Sequence, residues 1–553
     1  MQNSMPTTSQ PPRAWGRTAN KAALAVGTLL LIGVLAVLAL PQIWNPFSRD
    51  HGELASCVQR LLHNASLGQS AVIYKDCWEN KGPLTYPFYL IPIAISPTIL
   101  SLRLFDVVWQ ALTSVLLIVV LSRMANRTAG VLAGIAYWVL YISSGFWNTA
   151  QSESYAALFL LLNIYLAWKI KPGAAFVAGL CGGVVFLLKY TFVLMPLGTG
   201  AIMLLQAWFT SRSSSTPRAA WINLLKLALA YTLGVLLVTV CVAAYFVLND
   251  ALPAFFRHLE FASGPFAVRH TFEQTLNIVW INLRDYMSHG VHIGPVGKVT
   301  VPEWNVLGYG FPILVALALF AVWRHRRDPS FRVWYFALAW LMGYLNVIWQ
   351  ARYTHYHTMV LLLPLVVAAA FALVQRLDSM TGSGAADTGF PRFAYGLVIL
   401  AVAVSQVPSV LDWNSNVLVQ GKTPMQAYRD TTMTDEVILH DWVLDHTAPD
   451  DRIAIWGLAS SVYFITQRQN ATRFFSVLPF EYQSNYRGFW MDQYVQDLTA
   501  SQPKYFILTK DNYPTPGYSA EKALHEAAPI STYIDNHYTY IGESTAFLLF
   551  ERK

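Results

Sequence analysis

Apolar residues in this chain fall in long unbroken blocks separated by short polar connections. The first block runs from Ala22 to Leu40 and follows Arg13, Arg17 and Lys21. About 20 such residues cross a bilayer as a helix. The run is long for a signal peptide, and Leu38-Ala39-Leu40-Pro41 is a poor small-residue cleavage site, so a retained first helix is expected. Further blocks lie near 100–121, 128–144, 154–168, 173–188, 190–209, 225–247, 305–323, 333–349, 358–374 and 393–410. Together they predict about eleven spans.

The connections alternate in character. Starting from a basic cytoplasmic tail (residues 1–21), every second connection carries Arg or Lys: Arg123 and Arg127, Lys169 and Lys171, Arg212 and Arg218, Arg324 with Arg326 and Arg327, then Arg376 and Arg392. Short basic connections stay on the cytoplasmic side. The other connections, 41–97, 144–153 and 249–304, are then extracytoplasmic. Two of these are long, and long ordered loops tend to carry function. Ser/Gly-rich stretches at Thr210–Pro217 and Thr381–Thr388 read as cytoplasmic linkers.

From about residue 411 the pattern becomes that of a water-soluble unit. Thr434 to His446 has apolar residues at helical spacing, as expected for helices also over Asp492–Ala500 and Ala520–Ala527. Arg452–Gly457, Lys504–Thr509 and Ala546–Phe550 read as strands. The expected fold is thus an α-helical polytopic membrane domain over 22–410, with an extracytoplasmic α/β domain over 411–553.

Composition agrees. Of 553 residues, 55% are hydrophobic and only 12% charged, with a mean hydropathy of +0.38. Soluble proteins carry roughly a quarter charged residues. A net charge of +7 is modest for this size and implies no nucleic-acid partner. Four cysteines are too few for a disulfide framework. Cys57 and Cys77 share the first extracytoplasmic loop and either pair, closing a loop worth roughly 3 kcal/mol, or stay as buried thiols.

Candidate chemistry gathers in the extracytoplasmic connections. In Ser48-Arg-Asp-His-Gly-Glu-Leu-Ala55, Ser48 or Asp50 can cap a helix. Leu54, Val58, Leu61 and Leu62 then form the apolar face of an amphipathic helix lying on the membrane surface. Asp50 is either only a cap or a reactive carboxylate at the membrane lip. Glu53 reads as a first-turn charge complementing the helix dipole. Further on, Glu79 and Lys81 precede a Gly-Pro turn and an aromatic run. Lys81 either neutralises a phosphate or snorkels to the interface, with Glu79 as its partner or a metal ligand. Gln151 and Glu153 stand at the edge of an apolar block, where polar groups are costly without partners. Lys189 stands between two such blocks, unless it merely marks a turn. Arg352, His355 and His357, set among tyrosines, grip an anionic headgroup or form an ordinary interfacial belt.

In this order, these residues resemble the multi-pass glycosyltransferases of the GT-C type. More narrowly, they resemble the family of protein O-mannosyltransferases and bacterial aminoarabinose and galacturonic acid transferases of lipid A. Arg49-Asp50-His51-Gly52-Glu53 is similar to the family's first-loop acidic motif. Lys81-Gly82-Pro83 stands for its Lys-Pro-Pro, Gln151-Ser152-Glu153 for its second-loop acid, and Lys189 and the Arg352–His357 segment also have counterparts. The sequence departs at His51, where many relatives have a second acid, and at Gly82, where they have proline.

The resemblance implies an integral protein of the bacterial plasma membrane that takes a sugar from a polyprenyl-phosphate donor. The acceptor would be a hydroxyl of a lipid, glycan or protein. It implies Asp50 and Glu153 as catalytic acids, with Lys81, Lys189 and Arg352 at the donor phosphate. Arg49, Glu53, Gln151, His355 and His357 would support them. The resemblance fixes no cofactor and leaves a divalent metal ion open, since some relatives bind one beside an acid that maps to Glu79. A transporter or flippase of lipid-linked saccharides, and a ligase or polymerase of lipid-linked glycans, are the rival readings.

Overall fold

The computed structural model describes residue 30 and residues 32–40, 42–44, 47–144, 148–212, 216–264, 271, 273–274, 307–350, 355–374, 389–404, 419–431, 434–510 and 519–553. The start of the first apolar block, residues 213–215 of the first Ser/Gly-rich linker, the whole of the second and most of the 249–304 connection lie outside these residues. Of the first block, residues 32–40 are helical.

The amphipathic helix of the first loop is α1, Arg49–Ser66. Its cap is Ser48, whose side chain accepts from the His51 backbone N–H while the His51 side chain reciprocates at the Ser48 backbone. Asp50 is therefore free of the capping role. The aromatic run after Lys81, expected as part of the loop, is instead a turn of 3-10 helix, Pro83–Thr85, leading into α2, Tyr86–Ile95. Pro83 and Pro87 near the starts of these helices lack only N–H groups that would have no helical partner there.

The apolar blocks form α3 (Ile99–Met124), α4 (Arg127–Ile142), α5 (Ser152–Trp168), α6 (Pro172–Leu188) and α7 (Leu194–Arg212). They continue in α8 (Pro217–Leu248) and, after α9 (Leu252–Ser263) at the start of the 249–304 connection, in α10 (Leu307–Arg324), α11 (Arg332–Gln350), α12 (Leu362–Ala370) and α13 (Gly389–Val404). Among the described residues, the helical stretches Ile99–Met124, Tyr190–Arg212, Pro217–Leu248 and Tyr356–Leu373 are long and apolar enough to cross a membrane. The stretch Tyr356–Leu373 is almost wholly buried, so it runs through the middle of the bundle. In contrast, α8 turns Leu225, Leu229, Leu233, Leu236 and Val240 outward. Such a stripe is stable only where the surroundings are themselves apolar.

In this setting, close helix contact comes from small residues rather than from the hydrophobic effect. Gly179 and Gly183 stand one turn apart on α6, facing α8. A Cβ at Gly179 would come within 2.0 Å of the Tyr231 carbonyl oxygen, and one at Gly234 within 2.1 Å of the Phe176 carbonyl oxygen. The two backbones touch there.

After α14 (Pro424–Thr431) and α15 (Thr434–His446), the chain enters a five-stranded sheet. Its strands are β1 (Arg452–Trp456), β2 (Gln469–Asn470), β3 (Tyr505–Thr509), β4 (Tyr538–Glu543) and β5 (Phe547–Arg552), in the order β2-β1-β3-β5-β4. β1 pairs in parallel with β2 and with β3 (Ala454 opposite Phe506), and β5 is antiparallel to β3 and β4. Helices α16 (Ser461–Thr466), α17 (Arg487–Ser501), α18 (Ala520–Glu526) and α19 (Ala528–His537) connect them. β3 is buried along its whole length, as its unbroken Tyr-Phe-Ile-Leu run requires. The two-residue β2 and the largely exposed β4 carry no comparable apolar signal, so the sequence pattern misses both.

This α/β unit is docked on α1. Gly52 lets the helices approach, since a Cβ there would lie 2.6 Å from the Ser461 Cα. Ser56 donates to the Ser460 carbonyl at 2.7 Å, and Arg60 donates to the carbonyls of Asn470 and Thr472, each at 2.7 Å. Trp78 of the first loop and Phe261 of α9 are buried with Trp456 and Trp490 in the unit's own core. The amphipathic helix is thus sandwiched between bundle and α/β unit.

The α6–α8 contact yields a direct test. Gly179→Leu should overpack the interface and cost about 2 kcal/mol. In detergent this should appear as a clearly lower melting midpoint, and an unchanged midpoint would contradict the close approach.

Candidate active site

The residues around Asp50 are assembled from five chain segments. Asp50 lies in the first turn of α1, and its Oδ2 accepts from Lys81 Nζ at 2.8 Å. Glu153 lies in the first turn of α5, fully buried, and its Oε1 accepts from Lys189 Nζ at 2.6 Å. Between these pairs stands Tyr356. Its hydroxyl is 3.5 Å from Lys81 Nζ, and its ring centroid is 5.3 Å from Lys81 Nζ and 5.6 Å from Lys189 Nζ. Two ammonium groups and two carboxylates therefore converge on one phenol. Asp50 keeps 26% of its side chain accessible and Lys189 21%, against 1% for Glu153, so the group is reached from one side.

The arrangement around Lys81 is rigid. Its carbonyl accepts from the Tyr74 hydroxyl at 2.6 Å, and its backbone N–H donates to Glu79 Oε2 at 2.7 Å. The Cys57–Cys77 pair is a disulfide, with Cα atoms 5.6 Å apart, and it ties α1 to the segment that leads to Lys81. Gly82 explains the missing proline. A Cβ there would lie 2.5 Å from the carbonyl oxygens of Leu187 and Leu188, at the end of α6. The turn after Lys81 presses on the backbone that leads into Lys189, which brings the two lysines onto the same phenol.

His51, the other departure, is structural. Its Nδ1 faces the Ser48 backbone N–H at 3.0 Å, which can only donate, so the proton lies on Nε2. Nε2 then donates to the Thr149 carbonyl at 2.8 Å. Burial and the Arg103 guanidinium push the imidazole pKa well below its ordinary value, so it stays neutral.

Electrostatics separate the carboxyls. Partial burial raises Asp50, but the Lys81 ammonium outweighs this and holds it at about 2. For Lys81 the order is the same: burial disfavours the charge, and Asp50 more than restores it. Glu53 differs from the expected solvated first-turn charge. It is buried one turn into α1, because that face is covered, and burial together with Glu79 raises its pKa well above the ordinary range. Burial likewise raises Glu79 to about 7, against the lowering influence of Lys81.

The supporting residues are placed as follows. Arg49 turns toward the α/β unit, 3.8 Å from Glu436. Gln151 is the N-cap residue of α5. His357 is buried with its ring 4.6 Å from that of Tyr356. Arg352 and the His355 side chain lie outside the described residues. Glu79 has one carboxylate oxygen buried without a partner. Among the described residues, however, no group of three His, Cys, Asp or Glu side chains forms a metal-ligand set. One spare oxygen does not meet a divalent ion's demand for several oxygen ligands, and no step below is routed through a metal.

Sequence reasoning missed Tyr356 as a site residue, although it lies between two histidines that were singled out. It also missed the Glu53–Glu79 neighbourhood, for which residues 26 apart in a loop give no signal.

No family model matches the chain, and no curated protein matches it. Solved structures do. One is "Crystal Structure of ArnT from Cupriavidus metallidurans bound to Undecaprenyl phosphate", with a TM-score of 0.54 at 12% identity, covering 95% of this chain and 97% of that one. The same protein in the apo state gives a TM-score of 0.55 at 14% identity, covering 96% and 98%. The chain therefore has the fold of that protein along nearly its whole length.

The raised Glu79 pKa has a consequence for stability. A carboxyl raised on folding binds more protons folded than unfolded, so stability falls as pH rises from about 4.5 through about 7. Glu79→Gln, which keeps the oxygen acceptor, should raise the melting midpoint at pH 8 and lose that advantage at pH 5. An equal shift at both pH values would contradict the raised pKa.

Proposed function

We propose that this protein transfers a glycosyl group from a polyprenyl-phosphate carrier to a hydroxyl of a lipid, glycan or protein acceptor. The reaction takes place on the extracytoplasmic side of the bacterial plasma membrane. The observation that carries this reading is the convergence of Lys81, Lys189, Asp50 and Glu153 on Tyr356, where α1 meets the ends of apolar helices. A bundle of the same fold is known with undecaprenyl phosphate bound. An amphipathic donor of this kind needs a site at the membrane lip, with cations for its phosphate and lipid-facing helices for its tail.

In the ligand-free arrangement each lysine is neutralised by an acid. An arriving phosphate competes for both ammonium groups, and Arg352 joins them in this reading. As Lys81 turns to the phosphate, Asp50 loses the partner that holds it at about 2, and its basicity rises. The base is thereby strengthened when the donor is bound. The acceptor oxygen then attacks the anomeric carbon, and the bond from that carbon to the phosphate oxygen breaks. Its electron pair stays on the phosphate, and the hydroxyl proton passes to Asp50. Configuration inverts at the anomeric carbon, and polyprenyl phosphate leaves. Fixed ammonium groups in a partly dry site stabilise the charge that builds on the leaving phosphate. Glu153 keeps Lys189 aimed and orients a hydroxyl of sugar or acceptor. The α/β unit, outside the membrane and covering α1, serves acceptor recognition or caps the site.

Purified protein given labelled polyprenyl-phosphate sugars, hexosyl and pentosyl, and total membrane lipid should transfer the sugar. Asp50→Asn should abolish transfer with the melting midpoint preserved. Lys81→Met should weaken binding of undecaprenyl phosphate by about tenfold or more. Near-normal turnover of Asp50→Asn, or translocation of the donor without bond cleavage, would overturn the assignment.

A further inference from the structure

Helix α3 reads as plain membrane sequence, yet it buries Arg103 and Asp106 at 1% exposure and Gln110 at 0%. At i, i+3 and i+7 these share one face. Ionisable groups inside a membrane helix are costly and mark function by default. None of the three belongs to the converging group described above.

Their contacts lead to the two segments that carry the acids. Arg103 Nη1 donates to Thr149 Oγ1 at 3.0 Å, and Nη2 lies 3.4 Å from His51 Nδ1. His51 itself donates to the Thr149 carbonyl at 2.8 Å, which closes a triangle. One corner is the neighbour of Asp50, and another lies four residues before Glu153. Asp106 accepts from the Tyr141 hydroxyl with both carboxylate oxygens, each at 2.9 Å. That hydroxyl accepts in turn from the Ala150 N–H at 3.1 Å. The Tyr89 hydroxyl donates to the Ala150 carbonyl at 2.9 Å. Ala150 needs these restraints, since its φ is +56°, in the left-handed region. Gln110 completes the grip by donating to the Ser154 carbonyl at 3.2 Å. One helix face thus holds the backbone on both sides of Glu153 and also holds His51.

We propose that Arg103, with Asp106 as its counter-charge, is a positioning residue that sets the separation of Asp50 from Glu153. This rests on the glycosyl-transfer reading of the site. The geometry calls for a guanidinium. Its planar fork reaches Thr149 and His51 at once, whereas a lysine supplies one point charge. Charge compensation of Asp106 alone would be met by either residue, and the two roles therefore separate experimentally.

Three variants of the full-length purified protein test this: Arg103→Lys, Arg103→Met, and Arg103→Met combined with Asp106→Asn. The double variant removes both buried charges and so preserves folding if the single Met variant does not. We expect Arg103→Lys and the double variant to keep the wild-type melting midpoint, while kcat falls by about 100-fold, the scale of a small misplacement of reacting groups. KM for the polyprenyl-phosphate sugar should stay within about threefold, because the lysines that hold the phosphate are untouched. Amide hydrogen exchange should quicken together in residues 49–52 and 148–153 and remain unchanged in the strands of the α/β unit. If Arg103→Lys restores kcat fully, Arg103 serves only as a counter-charge and the proposal fails. If exchange in the two segments is unaltered, it fails as well, whatever donor the protein uses. Absence of any transfer by the wild-type protein would instead count against the glycosyl-transfer reading, and the exchange measurement would still decide the positioning role.

Discussion

The organisation of this molecule depends on the pairing of charge at the boundary between an apolar bundle and water. A lone ammonium or carboxylate there is expensive, so each must find a partner, and the partner is supplied by a different chain segment. Lys81 meets Asp50 across the first loop, and Lys189 meets Glu153 across two helices. Each pair is worth little as a stabilising contact, because desolvation offsets the attraction. Its value is that the charges are held in place, and in the proposed reaction an anionic group exchanges there for the acids. The scaffold is shaped to bring them together: α1 presents Asp50 at a capped start, and the Gly82 turn presses the Lys81 segment onto the end of α6.

The α/β unit belongs to that scaffold. Without it, α1 would be an amphipathic helix resting on lipid, free to slide. Close approach at Gly52, the bonds from Ser56 and Arg60, and the burial of Trp78 fix it from above. The Cys57–Cys77 disulfide fixes it to the segment that leads to Lys81. Two constraints leave the Asp50 carboxylate little freedom, which suits the proposed role of a base that meets a hydroxyl and an anomeric carbon in one geometry.

How much of this could be read in advance varied with the physical signal. The apolar blocks marked α3 to α8 and α10 to α13 closely, because a bilayer demands unbroken apolar length. Pro83–Ile95 was misjudged, since Pro87 and Pro92 and a shorter run resemble a loop. Asp50, Lys81, Glu153 and Lys189 stood out because charge at the edge of an apolar block is rare. Tyr356 did not, because tyrosine is common at membrane boundaries. Glu53 was read as a solvated helix charge because nothing local reveals that the segment carrying Glu79 and Lys81 folds back beside it.

The sequence by itself determined the class of protein, the run of helices and which few charges sit at the edges of the apolar blocks. These are local properties: hydropathy, period and capping residues. Only the tertiary structure decided that Asp50 takes Lys81 and Glu153 takes Lys189, that Tyr356 stands between them, and that Arg103 reaches both acid-bearing segments. Those outcomes depend on contacts between segments up to about three hundred residues apart, as with Lys81 and Tyr356. No local pattern encodes such a distance. It emerges when Gly179, Gly82 and Gly52 let three pairs of backbones touch, because close packing then leaves the side chains between them little choice of position.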